Sequence, residues 1–162
     1  MRQLQLIALT FCISMVSACG FSLRGTDSGL LPVQQLVLTH PEGRYPLRAP
    51  LLSALRASDV TLVDLNSTDL QLLLSPETQE RRAVSINSRA GAGQYEMTLS
   101  IDAELHRGGV RLAGPETLLV KGTFYEDTAN ISGSNRGLDL VLDDLRNELA
   151  NQIIRRLQAV SL

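Results

Sequence analysis

The sequence predicts an α+β domain in which a small mixed or antiparallel β-sheet carries one short helix and one long C-terminal helix on the same face. In the middle of the chain apolar and polar residues alternate, as in strands with one solvated face. Near the C-terminus apolar residues recur every three to four positions, as in an amphipathic helix. The chain has 162 residues, 44% of them hydrophobic, so we expect one modest core in a single domain over residues 33–162.

Residues 1–18 have the pattern of a secretory signal peptide. Arg2 supplies a positive start, and residues 4–16 are mostly apolar but too few and too weakly hydrophobic for a stable membrane span. They are followed by Val16-Ser17-Ala18-Cys19, which resembles the bacterial lipobox, where the cysteine is acylated and the chain is cut before it. We therefore expect a lipidated Cys19, then a glycine- and serine-containing tether over residues 19–32.

Cysteine usage agrees with this expectation. Cys12 would be removed with the signal peptide, so Cys19 would be the sole thiol of the mature chain in an oxidising compartment. Two or three acyl chains would hold the protein durably on a membrane. The next residue is Gly20 rather than the aspartate typical of lipoproteins kept in the inner membrane. This predicts the outer membrane of a double-membraned bacterium, with the domain on its periplasmic side.

The mature chain opens with a predicted β-α-β unit. Residues 33–39 have the aliphatic content of a first strand. Pro46 and Pro50 then introduce a short helix that ends at Ala57, since proline is tolerated in a first helical turn. Residues 60–64 follow as a second short strand.

The middle of the chain changes to a period of two. Residues 94–105 alternate six times and predict one long strand, the clearest element of the sheet. Weaker alternation predicts a strand from Leu70 that continues toward Ile86, and another over residues 116–125. Residues 106–115 contain three glycines and predict a hairpin connection.

The C-terminal region predicts the long helix. Its apolar stripe consists of Leu138, Val141, Leu142, Leu145, Leu149, Ile153, Leu157 and Val160. Ser134 or Asn135 would cap the start. Three aspartates in the expected first turns (Asp139, Asp143, Asp144) and two arginines near the end (Arg155, Arg156) would match the helix dipole.

Composition argues against several functions. Removal of residues 1–18, whose only charged residue is Arg2, leaves 14 basic and 17 acidic residues, a net charge of −3. A nucleic-acid binder requires the opposite balance. His40 and His106 are the only histidines, and neither lies in a metal-binding or nucleophile motif. We therefore expect no enzyme activity, no metal and no cofactor.

The basic residues are the candidates for ligand binding. Arg81, Arg82 and Arg89 lie in and after one predicted strand, Lys121 lies in another, and Arg136 precedes the predicted long helix. Several of them can converge near one edge or end of the sheet, where arginine's planar fork suits phosphate or carboxylate. The alternative is that they are ordinary solvated arginines at loop ends.

Four segments give the sequence a family resemblance. They are Cys19-Gly20-Phe21-Ser22-Leu23-Arg24-Gly25, Gln94-Tyr95-Glu96-Met97, Phe124-Tyr125-Glu126-Asp127 and Gln152-Ile153-Ile154-Arg155-Arg156-Leu157. In their order and spacing they resemble the lipopolysaccharide-assembly lipoproteins of the LptE family. This resemblance implies two helices against a small sheet, the arrangement already predicted from periodicity.

The resemblance also implies a function. Members plug the lumen of the outer-membrane barrel LptD, assist its assembly and handle lipopolysaccharide (LPS) on its way to the outer leaflet. Arg89 and Arg136 fall where the family has basic residues, and they are the candidate contacts to LPS phosphates. Two other classes stay open: an auxiliary lipoprotein of a lipid-trafficking transporter, and a lipid-anchored periplasmic enzyme.

Overall fold

A computed structural model describes residues 33–64, 70–86, 92–127 and 129–160 of the chain. Cys19, Arg89 and the predicted signal peptide and tether lie outside these ranges. The elements, in chain order, are β1 (Gln35–Thr39), α1 (Arg48–Ala57), β2 (Thr61–Leu62), β3 (Leu70–Leu74), β4 (Thr78–Ile86), β5 (Ala92–Arg107), β6 (Val110–Tyr125) and α2 (Ile131–Ala159).

The described strands form one mixed six-stranded sheet. Strand β1 lies between β2 and β3 and pairs with both in parallel. The long strand β5 pairs antiparallel with β6 along one side and with β3 and β4 along the other. This confirms the α+β class and the opening β-α-β unit, and the predicted long strand is β5.

Strands β3 and β4 correct the prediction of one strand running from Leu70 to Ile86. Residues 75–77 interrupt it, and the register against β5 shifts by one residue, from Leu74 opposite Ala103 to Thr78 opposite Ser100. Pro76 has no backbone N–H to donate to a neighbouring strand, so the ladder breaks there.

The β5–β6 connection is much shorter than the predicted segment 106–115. Only Gly108 and Gly109 form the turn, with φ angles of 58° and 78°. A two-residue turn with two positive φ angles matches the twist of an antiparallel hairpin, and glycine adopts that conformation without steric cost. Arg111 and Pro115, predicted to lie in the connection, belong to β6.

The long helix begins earlier than predicted. Its N-cap is Asn130, whose side chain accepts a hydrogen bond from the Gly133 N–H. Ser134, predicted as a cap, is instead buried inside the first helical turns, where its hydroxyl bonds to the backbone of Asp127 and Asn130. The predicted aspartates therefore lie beyond the first turn, which holds no acidic residue. Arg156 does lie in the last turn, as predicted.

Both helices cover the apolar face of the sheet. The core lies between them and the inward residues of β1, β3, β5 and β6, and its fully buried side chains are Leu36, Leu47, Leu51, Leu55, Leu99, Ile101, Leu118, Leu149 and Ile153. Gly122 of β6 lets α2 approach, because a Cβ there would lie 3.1 Å from a methyl group of Val141.

A buried ion pair joins three parts of the fold. Glu77, between β3 and β4, accepts a hydrogen bond from the Leu47 N–H at the start of α1 (2.6 Å) and another from Arg146 of α2 (3.3 Å). The side chains of Glu77 and Arg146 are only 6% and 13% exposed. Because both charges are shielded from water, Glu77 depends on Arg146 for compensation, whereas Arg146 also pairs with the exposed Asp143 (3.1 Å).

Candidate functional site

The candidate site is one end of the sheet. There Ile86 pairs with Ala92, Gln94 pairs with Tyr125, and the Glu126 N–H donates to the Gly93 carbonyl (3.2 Å). Helix α2 begins a few residues later. We call this region the helix-start end. The residues that flank segment 87–91, which contains Arg89, therefore lie at the same end of the sheet as the first turns of α2, which contain Arg136.

Arg136 is the predicted phosphate contact that the structure describes. It lies inside α2, not before the helix as predicted, because the helix begins at Ile131. Its side chain is exposed. Within the described ranges it has no acidic partner, so its guanidinium is available to an anion.

Arg81 has a different environment at the same end. Its guanidinium carbon lies 3.5 Å from the centre of the Tyr95 ring and 5.1 Å from that of Phe124. It also forms an ion pair with Glu126 at 2.7 Å. Cation–π and ionic contacts together hold this guanidinium in place. Arg81 therefore connects β4 to β5 and to the end of β6 at the helix-start end. It is less available to a ligand than Arg136.

Two further predicted cations, Arg82 and Lys121, lie on the outer face of the sheet, away from the helices. Arg82 and Lys121 both approach the Glu96 carboxylate, at 3.5 and 3.1 Å. The predicted convergence of basic residues therefore takes two forms. Arg81 is on the inner side with aromatic rings, while Arg82 and Lys121 share one carboxylate on the outer side.

The sequence did not reveal these pairings, because they depend on strand register. Arg81 lies opposite Met97 and Arg82 lies opposite Glu96, so two consecutive arginines point to opposite faces. The alternation around Tyr95 indicates which face of the sheet each residue of β5 occupies. The sequence does not indicate which residue of β4 lies opposite which residue of β5.

The outer face is polar and hydrogen-bonded along β5 and β6. Besides the Glu96 pairs, the Thr117 hydroxyl donates to Asp102 (2.6 Å), and His106 lies 2.8 Å from Glu104. Leu119 and Tyr125 interrupt this surface as exposed apolar side chains. The result is a broad polar surface on which the charged groups named above have ionic or hydrogen-bond partners.

The described residues contain no sign of a metal centre. No group of three or more histidine, cysteine, aspartate or glutamate side chains is placed to hold an ion in this part of the chain. His40 stacks on Tyr45 with ring centres 4.9 Å apart and contacts the Pro41 carbonyl. Of the helices in the described ranges, none is both long and apolar enough to cross a bilayer.

Comparison with known proteins identifies the family. The family model for lipopolysaccharide assembly, LptE, matches residues 33–157. The chain belongs to the LptE family. An LPS-assembly lipoprotein LptE from Pectobacterium atrosepticum is 28% identical over 159 residues, covering 96% of this chain and 85% of the relative. The one from Yersinia enterocolitica is 25% identical, covering 98% and 77%.

Solved structures show the same LptE-like fold. Lipoprotein B from Nitrosomonas europaea matches with a TM-score of 0.69 at 18% identity, covering 86% of this chain and 91% of that one. Rare lipoprotein B from Shewanella oneidensis matches with a TM-score of 0.67 at 20% identity, covering 75% and 92%. The LptE family is defined by its part in lipopolysaccharide assembly and is not a known class of enzyme.

Proposed function

We propose that this LptE-family chain plugs the lumen of the outer-membrane barrel LptD, assists the assembly of that barrel and binds LPS for insertion into the outer leaflet. A lipid on Cys19 anchors it at the periplasmic face of the outer membrane, after removal of residues 1–18, with residues 19–32 as the tether. It acts without catalysis. Membership of the LptE family is the observation that carries this proposal.

The outer face of the sheet supports the plug arrangement. The interior of a transmembrane barrel is polar, and the outer face presents threonine, serine and paired charges along β5 and β6. Arg82 and Lys121 share the single carboxylate of Glu96, so this cluster keeps one net positive charge that a polar lumen wall can solvate or pair. We infer that it lies against the lumen wall.

Co-purification tests the partner. The full-length lipoprotein extracted in mild detergent is expected to bring down LptD as a heat-modifiable barrel in a stoichiometric complex, in which the β5–β6 outer face resists protease. Recovery as a free monomer would contradict the plug. A transporter complex in its place would indicate an auxiliary transport lipoprotein, and turnover of a substrate without either partner would indicate an enzyme.

Metabolic labelling tests the anchor. A fatty-acid label should appear on the wild-type protein and be absent from Cys19→Ala, which should also lose durable membrane attachment. Equal labelling of the two proteins would mean that the lipid is attached to a residue other than Cys19.

We assign LPS binding to Arg89 and Arg136, of which Arg136 lies at the helix-start end. Each charge-assisted contact to a phosphate contributes roughly 1.5–3 kcal/mol. Arg89→Glu/Arg136→Glu should therefore weaken LPS binding strongly while the domain keeps its melting temperature, because Arg136 is exposed. The matched control is Arg44→Glu/Arg107→Glu, the same charge change on two exposed residues that lie outside the helix-start end and have no acidic partner within the described ranges. Equal LPS binding by a folded Arg89/Arg136 variant would show that these are ordinary surface arginines.

A further inference from the structure

An apolar groove lies beside the end of α2, toward the β5–β6 turn and away from the helix-start end. It is a cavity of about 240 Å³ between the last turns of α2 and the inner face of β3, β5 and β6. A cavity of about 150 Å³ with an apolar lining can hold one benzene ring, so this one has room for an aromatic ring and an aliphatic side chain together. We call it the α2-end groove. Its apolar lining includes Leu72, Leu105, Leu118, Ile153, Leu157 and Val160.

The charged residues of this groove disfavour a phosphorylated ligand. Arg156 lines the groove but is already paired with Glu116 at 2.7 Å. Glu104 also lines it, and lies 2.8 Å from His106 and 3.8 Å from Arg111. A phosphate would therefore have to compete with Glu116 for Arg156 and approach two carboxylates. An apolar segment that is uncharged or cationic meets no such cost.

The described chain enters the domain at the same end of the sheet. Val33 packs against the core, and Leu38 of β1 pairs with Leu72, which lines the groove. Val33 precedes Leu38 by five residues, about 17 Å along an extended strand, and β1 lies two strand spacings, about 10 Å, from β5. A segment that precedes Val33 must therefore span about 20 Å to reach the groove.

This distance selects among the apolar residues that precede the domain. Phe21, Leu23, Leu30 and Leu31 are the leucines and the aromatic residue of the segment 20–31. Leu30 and Leu31 can lie at most about 10 Å from Val33, which is too short, whereas Leu23 can lie up to about 33 Å away. Phe21 and Leu23 are two residues apart, so in an extended segment both side chains point to the same side. Together they supply one aromatic ring and one aliphatic side chain.

We propose that residues 20–25 dock in the α2-end groove as an extended segment, with the side chains of Phe21 and Leu23 buried together against its apolar lining. Residues 26–32 then bridge the remaining distance to Val33, for which their extended length of about 23 Å is sufficient.

This docking fixes how the domain meets the membrane. Cys19 lies two residues before Phe21, so a lipid on Cys19 holds the α2 end of the domain next to the bilayer. Without docking, residues 19–32 would let the domain move up to about 46 Å from its anchor. The docking requires neither LPS nor the barrel, so it stands or fails independently of those parts of the proposed function.

Disulfide trapping in the full-length lipoprotein tests the docking. In Leu23→Cys/Ala159→Cys, one cysteine lies on the proposed segment and the other lines the groove. A disulfide requires Cα atoms less than about 7 Å apart. With Cys19 acylated and Cys12 removed with the signal peptide, the mature chain has no further thiol. After reduction in mild detergent and reoxidation, the intramolecular disulfide should form on the order of ten-fold faster than in two controls, because docking raises the local concentration of the two thiols.

The two controls separate docking from random contact. Leu23→Cys/Thr117→Cys places the second thiol on the exposed outer face, which an undocked segment would reach about as often as the groove. Leu31→Cys/Ala159→Cys keeps the groove thiol but starts from a residue too close to Val33 to reach it.

Protease protection gives an independent readout. Arg24 lies within the proposed segment, so docking should slow trypsin cleavage after it. Phe21→Ser/Leu23→Ser removes the two buried side chains and should speed this cleavage about ten-fold, because the segment is then open more of the time. Leu30→Ser/Leu31→Ser makes the same change outside the docked segment and should leave the cleavage rate at Arg24 unchanged.

Three outcomes would overturn the proposal. Equal disulfide rates at Ala159 and Thr117 would mean that the segment does not dock, and fast trapping of Leu31→Cys at Ala159 would mean that another part of the chain occupies the groove. An unchanged trypsin rate in Phe21→Ser/Leu23→Ser would mean that these side chains hold nothing in place. Each of these results leaves the proposed function standing if the wild type still brings down LptD. Loss of the barrel complex would instead refute the plug and leave the docking result intact, since trapping is measured on the lipoprotein alone.

Discussion

The two faces of the sheet use the same types of charged residue in different environments. On the helix-covered side, Glu77 and Arg146 form a pair that is 6% and 13% exposed and also holds the start of α1. On the outer side, Arg82 and Lys121 share Glu96 while themselves 75% and 52% exposed. The presence of an ion pair therefore says little about stability, since burial decides how much the fold depends on it.

Breaking the buried pair should have the largest effect. Arg146→Ala leaves the Glu77 carboxylate buried without its cation, which should lower the free energy of unfolding by about 3–5 kcal/mol. Chemical denaturation measures the loss. In a double-mutant cycle, Glu77→Ala/Arg146→Ala should lose less than the sum of the single variants. A single-variant loss as small as that of a surface pair would mean that water or other groups compensate Glu77.

The close packing of α2 on the inner face should give the next largest effect. Gly122→Val places methyl groups against Val141 and Leu145, whose side chains lie 3.1 and 3.3 Å from an added Cβ. Overpacking of this kind costs about 1–3 kcal/mol. The adjacent residue Thr123 is exposed on the outer face, so Thr123→Val should leave the melting temperature nearly unchanged. Similar losses for both variants would contradict the assignment of the two faces.

A tyrosine on the helix-covered side should make stability depend on alkaline pH. Burial, and secondarily the Glu77 carboxylate, raises the pKa of Tyr45 well above its ordinary value. The folded state therefore favours the neutral phenol. Its contribution is fully present below about pH 10, the pKa of an unperturbed tyrosine, and declines as the pH rises further.

Tyr45→Phe separates this effect from other titrations. The variant loses the hydrogen bond from the Tyr45 hydroxyl to the Ser75 carbonyl (3.1 Å), about 0.5–1.5 kcal/mol at neutral pH, and its melting temperature should fall less steeply than that of the wild type above pH 10. Both proteins keep Lys121, the single lysine of the chain, and the other two tyrosines, so the difference between their melting curves reports Tyr45. Parallel melting curves for the two proteins would exclude Tyr45 as the cause.

The exposed pair on the outer face should give the smallest change in stability. Lys121→Ala should alter the free energy of unfolding by about 0–1 kcal/mol, because solvent screens the pair with Glu96. If the outer face lies against a barrel lumen, the same substitution should weaken the LptD complex more than it weakens the fold. Pull-down yields measured beside thermal melts would distinguish the two effects, and a large loss of stability would show that this pair behaves like the buried one.

The sequence alone determined the parts of the fold that depend on local periodicity. The alternation around Tyr95 specified the long strand, and the leucine stripe from Leu138 specified most of α2, because each pattern matches one backbone repeat. The start of α2 was missed because Gly133 and Ser134 are poor helix formers by local propensity, and Asn130 and the backbone of Asp127 compensate only in the folded chain.

Which charged residues meet depends on how the whole chain folds. Cys19 is predicted from a motif that is contiguous in the chain, so it required no fold. Arg81 and Arg82 are neighbours in sequence yet face opposite sides, and Glu77 meets Arg146 across 69 residues. Such contacts depend on strand register and helix placement, which are set by burial of the whole apolar surface and not by any short segment.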